Sequence, residues 1–132
     1  MHVVRMAQRT APSPGNATAP KLADRLGAFG GRVCGAVRRA PRELMLDHVF
    51  RQLARAATSP AANYAEAREA ISTRDYVHKL KICVKELRES LSWFEMLQAS
   101  GFRATDIAPL IDECNQLIAI CVTCIRKAQG HR

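Results

Sequence analysis

The sequence predicts an all-α protein, an antiparallel up-down four-helix bundle, and three observations support this fold class. Aromatic residues make up only 5% of the 132 residues, whereas the helix formers Ala, Leu and Arg are abundant. β-Branched residues are scattered and form none of the alternating runs typical of strands. Four segments carry apolar residues at intervals of three and four, which is the spacing of one helix face.

The first two helical segments are predicted over residues 21–39 and 42–70. Apolar residues of the first segment recur with helical spacing until Pro41 ends it. Three of its glycines, at positions 27, 31 and 35, share one face, which is consistent either with close helix approach or with a marginal helix. Pro60 lies within the second segment, where we expect a kink rather than a break, because no loop residues surround it.

The last two helical segments are predicted over residues 73–100 and 105–128. Ser72 is expected to cap the third helix, with Asp75 in its first turn, and Gly101 to end it. Thr105 and Asp106 are expected to cap the fourth helix, whose stripe has a period near 3.5 that suits bundle packing. Four helices joined by short connections predict one bundle over residues 21–130.

The first 20 residues are predicted to be a disordered lead-in, because three of the six prolines lie there among small polar residues. The formal net charge of +8 is uneven, since residues 1–40 carry +6 and residues 41–132 only +2. A basic arm attracts polyanions, but it also keeps a protein soluble. Charge alone therefore leaves nucleic-acid binding open.

The sequence favours a cytoplasmic protein without a membrane role. Arg5 and Arg9 interrupt what would be the apolar core of a signal peptide. The apolar stretch from Leu26 to Val37 is too short for a bilayer, which requires about 20 residues. Five cysteines, an odd number, fit a reducing compartment.

No catalytic, metal or cofactor site is predicted. Cys121 and Cys124 form a lone Cys-x-x-Cys motif, which Cys114 and His131 would have to complete as a zinc site. Cys114 and Cys121 lie on the apolar stripe of the fourth helix, so core packing is the favoured interpretation. The histidines fall in no acid–base motif, and we expect neither an enzyme nor a small-molecule substrate.

The third helix carries a basic ridge, which is the candidate nucleic-acid site. Its residues are spaced four, three, four and three apart and fall within roughly 40° of one line on the helix, opposite the apolar stripe. They are Arg74, His78, Lys81, Lys85 and Arg88. Such a ridge suits phosphate contacts, whereas a solvated face tempered by Glu86 and a Lys85–Glu89 pair is the alternative.

A second group of residues is predicted to serve structure or subunit contact. Asparagine is a poor residue within a helix, so Asn63 suggests a hydrogen bond or a contact, together with Tyr64 and Glu66. Trp93 flanks the apolar stripe of the third helix, as Val77 and Val84 do. These flanking positions suggest additional apolar surface for self-assembly.

Several sequence blocks, with their spacing, resemble a known bacterial family. They are the run Arg55–Ala67, the block Asp75–Leu80, the block Lys85–Ser90, and Trp93. They look like the four-helix-bundle proteins first met as reading frames within intervening sequences of 23S ribosomal RNA genes. The resemblance covers roughly residues 42–128.

This resemblance implies an antiparallel bundle that assembles into a ring-like homopentamer. The family is similar in fold to the accessory protein of diversity-generating retroelements, a basic pentameric barrel that binds reverse transcriptase and contacts nucleic acid. It carries no known catalytic activity. The expected function is therefore a homo-oligomeric scaffold that binds RNA, DNA or a nucleic-acid-binding protein, and the alternative is an oligomeric protein adaptor.

Overall fold

The computed structural model describes residues 21–102 and 107–130, and within these residues the chain forms four α-helices and no strand. The predicted all-α class with four helices is confirmed. The lead-in predicted for residues 1–20 lies outside the described residues. The helices are α1 (Leu22–Arg39), α2 (Leu44–Arg68), α3 (Thr73–Ala99) and α4 (Ala108–Ala128).

α1 packs on α2 through its apolar stripe and through one glycine. Gly30 is buried, and a Cβ atom added there would lie 3.1 Å from the carbonyl oxygen of Ala57. Gly27 and Gly31 face open space. The glycine that permits close helix approach within the subunit is therefore Gly30, outside the repeat at positions 27, 31 and 35.

α2 continues unbroken through Pro60, whose ring is buried in the bundle. Side chains supply extra hydrogen bonds to the backbone around it. The Thr58 hydroxyl donates to the Ala54 carbonyl at 2.8 Å, and Asn63 Nδ2 donates to the Ser59 carbonyl at 3.1 Å. The Cys83 thiol of α3 donates to the Pro60 carbonyl at 3.4 Å. These bonds supplement the helical ladder where proline provides no donor.

α3 has the termini that its sequence predicts. The Ser72 hydroxyl accepts a hydrogen bond from the Asp75 backbone N–H at 3.0 Å, which confirms the predicted cap. Beyond the helix, Gly101 has a φ of +85°, a left-handed conformation that residues with a Cβ rarely adopt. The chain can therefore turn sharply after Ser100.

α4 begins at Ala108, with Pro109 in its first turn. The predicted cap at Thr105 and Asp106 lies outside the described residues. Within the described ranges, α4 alone has the length and composition of a membrane span, with a mean hydropathy of 1.4 over its most apolar window. One stripe of α4 is buried in the bundle, while 22% of that window as a whole is buried. The buried residues are Leu110, Cys114, Leu117, Ile118 and Cys121.

The core lies between the four helices. α2 packs mainly on α3, α1 contacts α2 and α4, and α3 also packs on α4. The up-down order of the helices and the pentameric ring stay predictions. Members of the buried cluster include Leu26, Phe29, Val33, Phe50, Leu53, Leu80, Cys83, Leu87, Phe94, Leu97, Leu110, Cys114, Leu117 and Cys121.

Candidate nucleic-acid interface

The structure places the whole basic ridge on the solvent-facing side of α3. Every third or fourth residue from the start of the helix is exposed, because the apolar stripe on the opposite side is held in the core. At a rise of about 1.5 Å per residue, the ridge is roughly 20 Å long. Its exposed members are Arg74, His78, Lys81, Lys85 and Arg88.

The five ridge side chains form no ion pair or hydrogen bond with any described residue. Several cations elsewhere are paired. Arg25 of α1 binds Glu113 of α4 at 2.7 Å, Arg51 binds Asp47 at 2.7 Å, and Lys79 binds Glu66 at 2.6 Å. The ridge therefore presents five exposed side chains to solvent without an ion pair to a described residue.

The acids that flank the ridge are bound from α2 instead. Arg55 forms ion pairs with Glu86, at 3.2 Å, and with Glu89, which also accepts a hydrogen bond from Trp93 Nε1 at 2.9 Å. The bonds from Trp93 and Arg55, with a smaller effect from the charge of Lys85, hold the pKa of Glu89 below its ordinary value. Glu89 is thus bonded across helices to Arg55, while Lys85, its partner in the alternative interpretation of the ridge, acts on it through charge.

The ridge is concave at its N-terminal end. A cavity of about 480 Å³ there is lined by Thr73, Arg74, Val77, His78, Lys81 and Gln129. Gln129 follows the last residue of α4, so two helices together form this cavity. Within the described part of the chain, no acidic residue lines it. Sequence reasoning missed Thr73 and Gln129, since only packing brings the end of α4 beside the start of α3.

The second predicted group lies at contacts between and within helices of the subunit. Asn63 is half-buried and bonded to Ser59, and Glu66 joins α2 to α3 through Lys79. Tyr64 is half-buried beneath the guanidinium of Arg68, which lies 5.9 Å from its ring centroid. These contacts give the residues structural partners within one chain, while their predicted role in subunit contact stays a prediction.

Trp93 and its neighbours on α3 are also used within the subunit. The Trp93 ring meets His48 edge-on, with centroids 5.7 Å apart, while Val77 is buried and Val84 is half-buried. The flanking apolar positions therefore supply less free surface for assembly than expected. Large apolar side chains are exposed elsewhere, at Leu44, Met45, Ile71 and Met96.

The thiols lie mainly in the core. Cys83, Cys114 and Cys121 are fully buried, and the Cys114 thiol donates to the Leu87 carbonyl at 3.2 Å. Burial raises the pKa of each of the three to about 12, so they stay protonated at neutral pH. Across residues 21–102 and 107–130, no three His, Cys, Asp or Glu side chains are grouped as a metal site requires.

Comparison with known proteins decides the family. A sequence profile of the family described as 23S rRNA-intervening sequence protein matches residues 29–123, which is more than half of the chain. The chain belongs to this family. The matched region spans α2 and α3 entirely, including the ridge and the Arg55 network, so the resemblance expected from those sequence blocks is confirmed.

A similar solved structure supports the fold of this family member. It is a protein of unknown function from the S23 ribosomal protein family of Bacteroides thetaiotaomicron. The two chains are 22% identical, with a TM-score of 0.71, over 80% of this chain and 99% of the other. At this identity the likeness establishes the fold alone. A search among curated proteins found no match.

Proposed function

We propose that this member of the 23S rRNA-intervening sequence protein family is a non-enzymatic, self-assembling scaffold that binds the phosphate backbone of nucleic acid. The observation that carries the proposal is the row of five exposed ridge residues that lack an ion pair with any described residue. Basic side chains that contact phosphates displace the counterions condensed on the strand. This release supplies most of the affinity that does not depend on base sequence.

The composition of the ridge favours contact with the backbone over contact with bases. It contains arginine, lysine and histidine but no aromatic side chain on which a base could stack. The aromatic residues of α3, namely Tyr76, Trp93 and Phe94, lie at least partly buried on its other faces. Binding is therefore expected to be insensitive to base sequence and to weaken steeply as salt is added.

Self-assembly is the second part of the proposal, and the homopentamer implied by the family resemblance is the form we favour. Leu44 is 90% exposed and Met45 87% exposed at the start of α2, and Met96 is 50% exposed near the end of α3. Contiguous exposed apolar surface is typical of contact sites, and Leu44 and Met45 are adjacent in the chain. Five copies of one ridge would act on a single strand with an avidity that one copy lacks.

A non-enzymatic role is supported by the surroundings of the candidate cavities. An apolar cavity of about 390 Å³ lies between the helices, and only two of the described residues that line it, Arg39 and Glu43, are charged. No serine, threonine or cysteine of the described ranges lines the apolar cavity. The basic cavity has Thr73 and His78, but no acidic side chain among the described residues lines it to orient the histidine as a catalytic set requires. We place the scaffold in the cytoplasm, where its thiols stay reduced.

The test is charge reversal on the ridge. In Lys81→Glu with Lys85→Glu, binding of labelled RNA and DNA, followed by fluorescence anisotropy at low salt, should be lost. Helicity and oligomer size should not change, because both side chains are exposed. The matched control is Arg32→Glu with Arg38→Glu, two exposed arginines of α1, which changes the net charge equally and should retain most of the affinity.

The control distinguishes a binding surface from bulk charge. Equal losses in the two double variants would contradict the ridge as the binding surface, and so would unchanged affinity in the ridge variant.

The exposed apolar side chains also fit a second function, an oligomeric protein adaptor. Absence of any strand binding by the wild-type protein at low salt would favour that adaptor.

A further inference from the structure

We propose that the concave end of the ridge is a pocket for the terminal phosphate of a nucleic-acid strand. This inference rests on the proposed function and adds to it a preference for strand ends. The pocket is lined by Arg74, His78 and Lys81 on α3 together with Thr73, Val77 and Gln129. At about 480 Å³, it is within the size range of small-ligand clefts, which begin at roughly 300 Å³.

The side chains of the pocket match the chemistry of a phosphate monoester. Arg74 offers a planar fork of N–H donors, Lys81 a compact ammonium group, and Thr73 and Gln129 a hydroxyl and an amide. All four can donate hydrogen bonds, and among the described residues no carboxylate lines the cavity to repel an anion. Asp75, in the same helical turn, acts on Lys79, whose pKa is raised mainly by its hydrogen bond to Glu66 and to a smaller extent by the charge of Asp75.

A terminal phosphate gains more from this arrangement than an internal one. A monoester carries a charge of about −1.5 to −2 and three acceptor oxygens, whereas each internal diester carries a single charge. Lys85 and Arg88 continue the ridge outside the concavity, where they can follow the internal diesters of the same strand. The ridge thus divides into a pocket for the strand end and a track for the backbone.

The experiment compares strands that differ only at their ends. A 5′-phosphorylated strand, a 3′-phosphorylated strand and an unphosphorylated strand one nucleotide longer are titrated into the full chain by anisotropy. One or two added charge-assisted hydrogen bonds predict that a phosphorylated strand binds roughly tenfold more tightly than the unphosphorylated strand. The longer strand controls for the added charge.

Two double variants locate the effect, one at two residues of the pocket and one at two ridge residues outside it. Arg74→Gln with His78→Gln should bring the phosphorylated strand to the affinity of the unphosphorylated one. Lys85→Gln with Arg88→Gln should weaken both strands by similar factors and preserve the preference. All four side chains are exposed and lack ion pairs with described residues, so both variants are expected to fold, as circular dichroism can check.

The outcomes separate this inference from the proposed function. Equal binding of the phosphorylated and unphosphorylated strands overturns the terminal-phosphate pocket but leaves backbone binding in place. A preference that survives Arg74→Gln with His78→Gln overturns the location of the pocket. Failure of all three strands to bind at low salt overturns the proposed function and this inference together.

Discussion

The buried cysteines show how single residues of this chain serve packing. Cys83, Cys114 and Cys121 are fully buried, and two of their thiols donate to carbonyl oxygens of neighbouring helices. Their position on the apolar stripes could be predicted from helical spacing alone. Burial raises the pKa of each thiol from 9.0 to about 12, which disfavours the thiolate needed for nucleophilic chemistry or metal binding.

The raised pKa values of the buried thiols predict how the free energy of unfolding depends on pH. An unfolded thiol ionises near pH 9, while the folded thiol resists ionisation up to about pH 12, so the stabilisation present below pH 9 is lost as the pH rises to 12. Cys114→Ala should lower the free energy of unfolding at pH 7 by about 1 kcal/mol and should reduce its slope between pH 9 and 12. Urea unfolding at several pH values measures both quantities.

The control for this prediction is Cys34→Ala. Cys34 is exposed on α1, so its removal should leave both the stability at pH 7 and the slope near those of the wild-type protein. A Cys114→Ala slope equal to that of wild type would show that the buried thiol does not govern the alkaline loss of stability. Cys121→Ala should behave as Cys114→Ala does, since burial raises both pKa values alike.

The Arg55 network marks a limit of prediction at the residue scale. Local spacing predicted a Lys85–Glu89 pair within α3, because those residues are four apart. Glu89 instead bonds to Arg55, which is 34 positions earlier in the chain, and to Trp93. A partner so distant in sequence is brought close by the packing of α2 on α3, which no local pattern encodes.

At the scale of the helices, periodicity predicted the elements well because each apolar stripe is long. The helix ends could be predicted less precisely from the sequence where no capping side chain marks them. The sequence pattern predicted that α2 starts near residue 42, whereas α2 begins at Leu44. The preceding residue, Glu43, makes no side-chain cap that could have marked this start. At α3, by contrast, Ser72 was predicted as the cap from the sequence, and in the structure its side chain caps the first turn.

The glycines of α1 provide a prediction at this scale. Gly27→Ala adds a methyl group in open space and should raise the free energy of unfolding by about 0.5–1 kcal/mol, because alanine favours the helix. Gly30→Ala adds the same group 3.1 Å from the Ala57 carbonyl oxygen and 3.3 Å from Thr58 Cα. Crowding against backbone should outweigh the helical gain and lower stability by about 1 kcal/mol.

Denaturant unfolding of the two variants at one protein concentration gives the comparison. The substitutions are chemically identical and three residues apart on one helix, so intrinsic helix propensity affects both equally. The difference in their effects therefore reports the contact between α1 and α2. Equal stabilisation by Gly27→Ala and Gly30→Ala would show that the two helices are not held at the close approach described.

At the scale of the whole molecule, the fold class and family were accessible from sequence, but the use of each surface was not. Val77, Val84 and Trp93 were expected to offer contact surface. Val77 is buried within the subunit, whereas Val84 and Trp93 are half-buried, so their role in subunit contact stays a prediction. Helical spacing shows which side of a helix is apolar but not how wide a stripe its own bundle covers. Exposed apolar residues at the start of α2, Leu44 and Met45, became evident only with the helices in place.

The mass of the protein–strand complex tests both parts of the proposed function, self-assembly and strand binding. Size-exclusion chromatography with light scattering, at low salt and with an equimolar ratio of pentamer to labelled single strand, reports assembly and binding together. We expect one species that contains the strand and five subunits, each of 14.6 kDa. A protein peak at 14.6 kDa with the strand eluting free would contradict it.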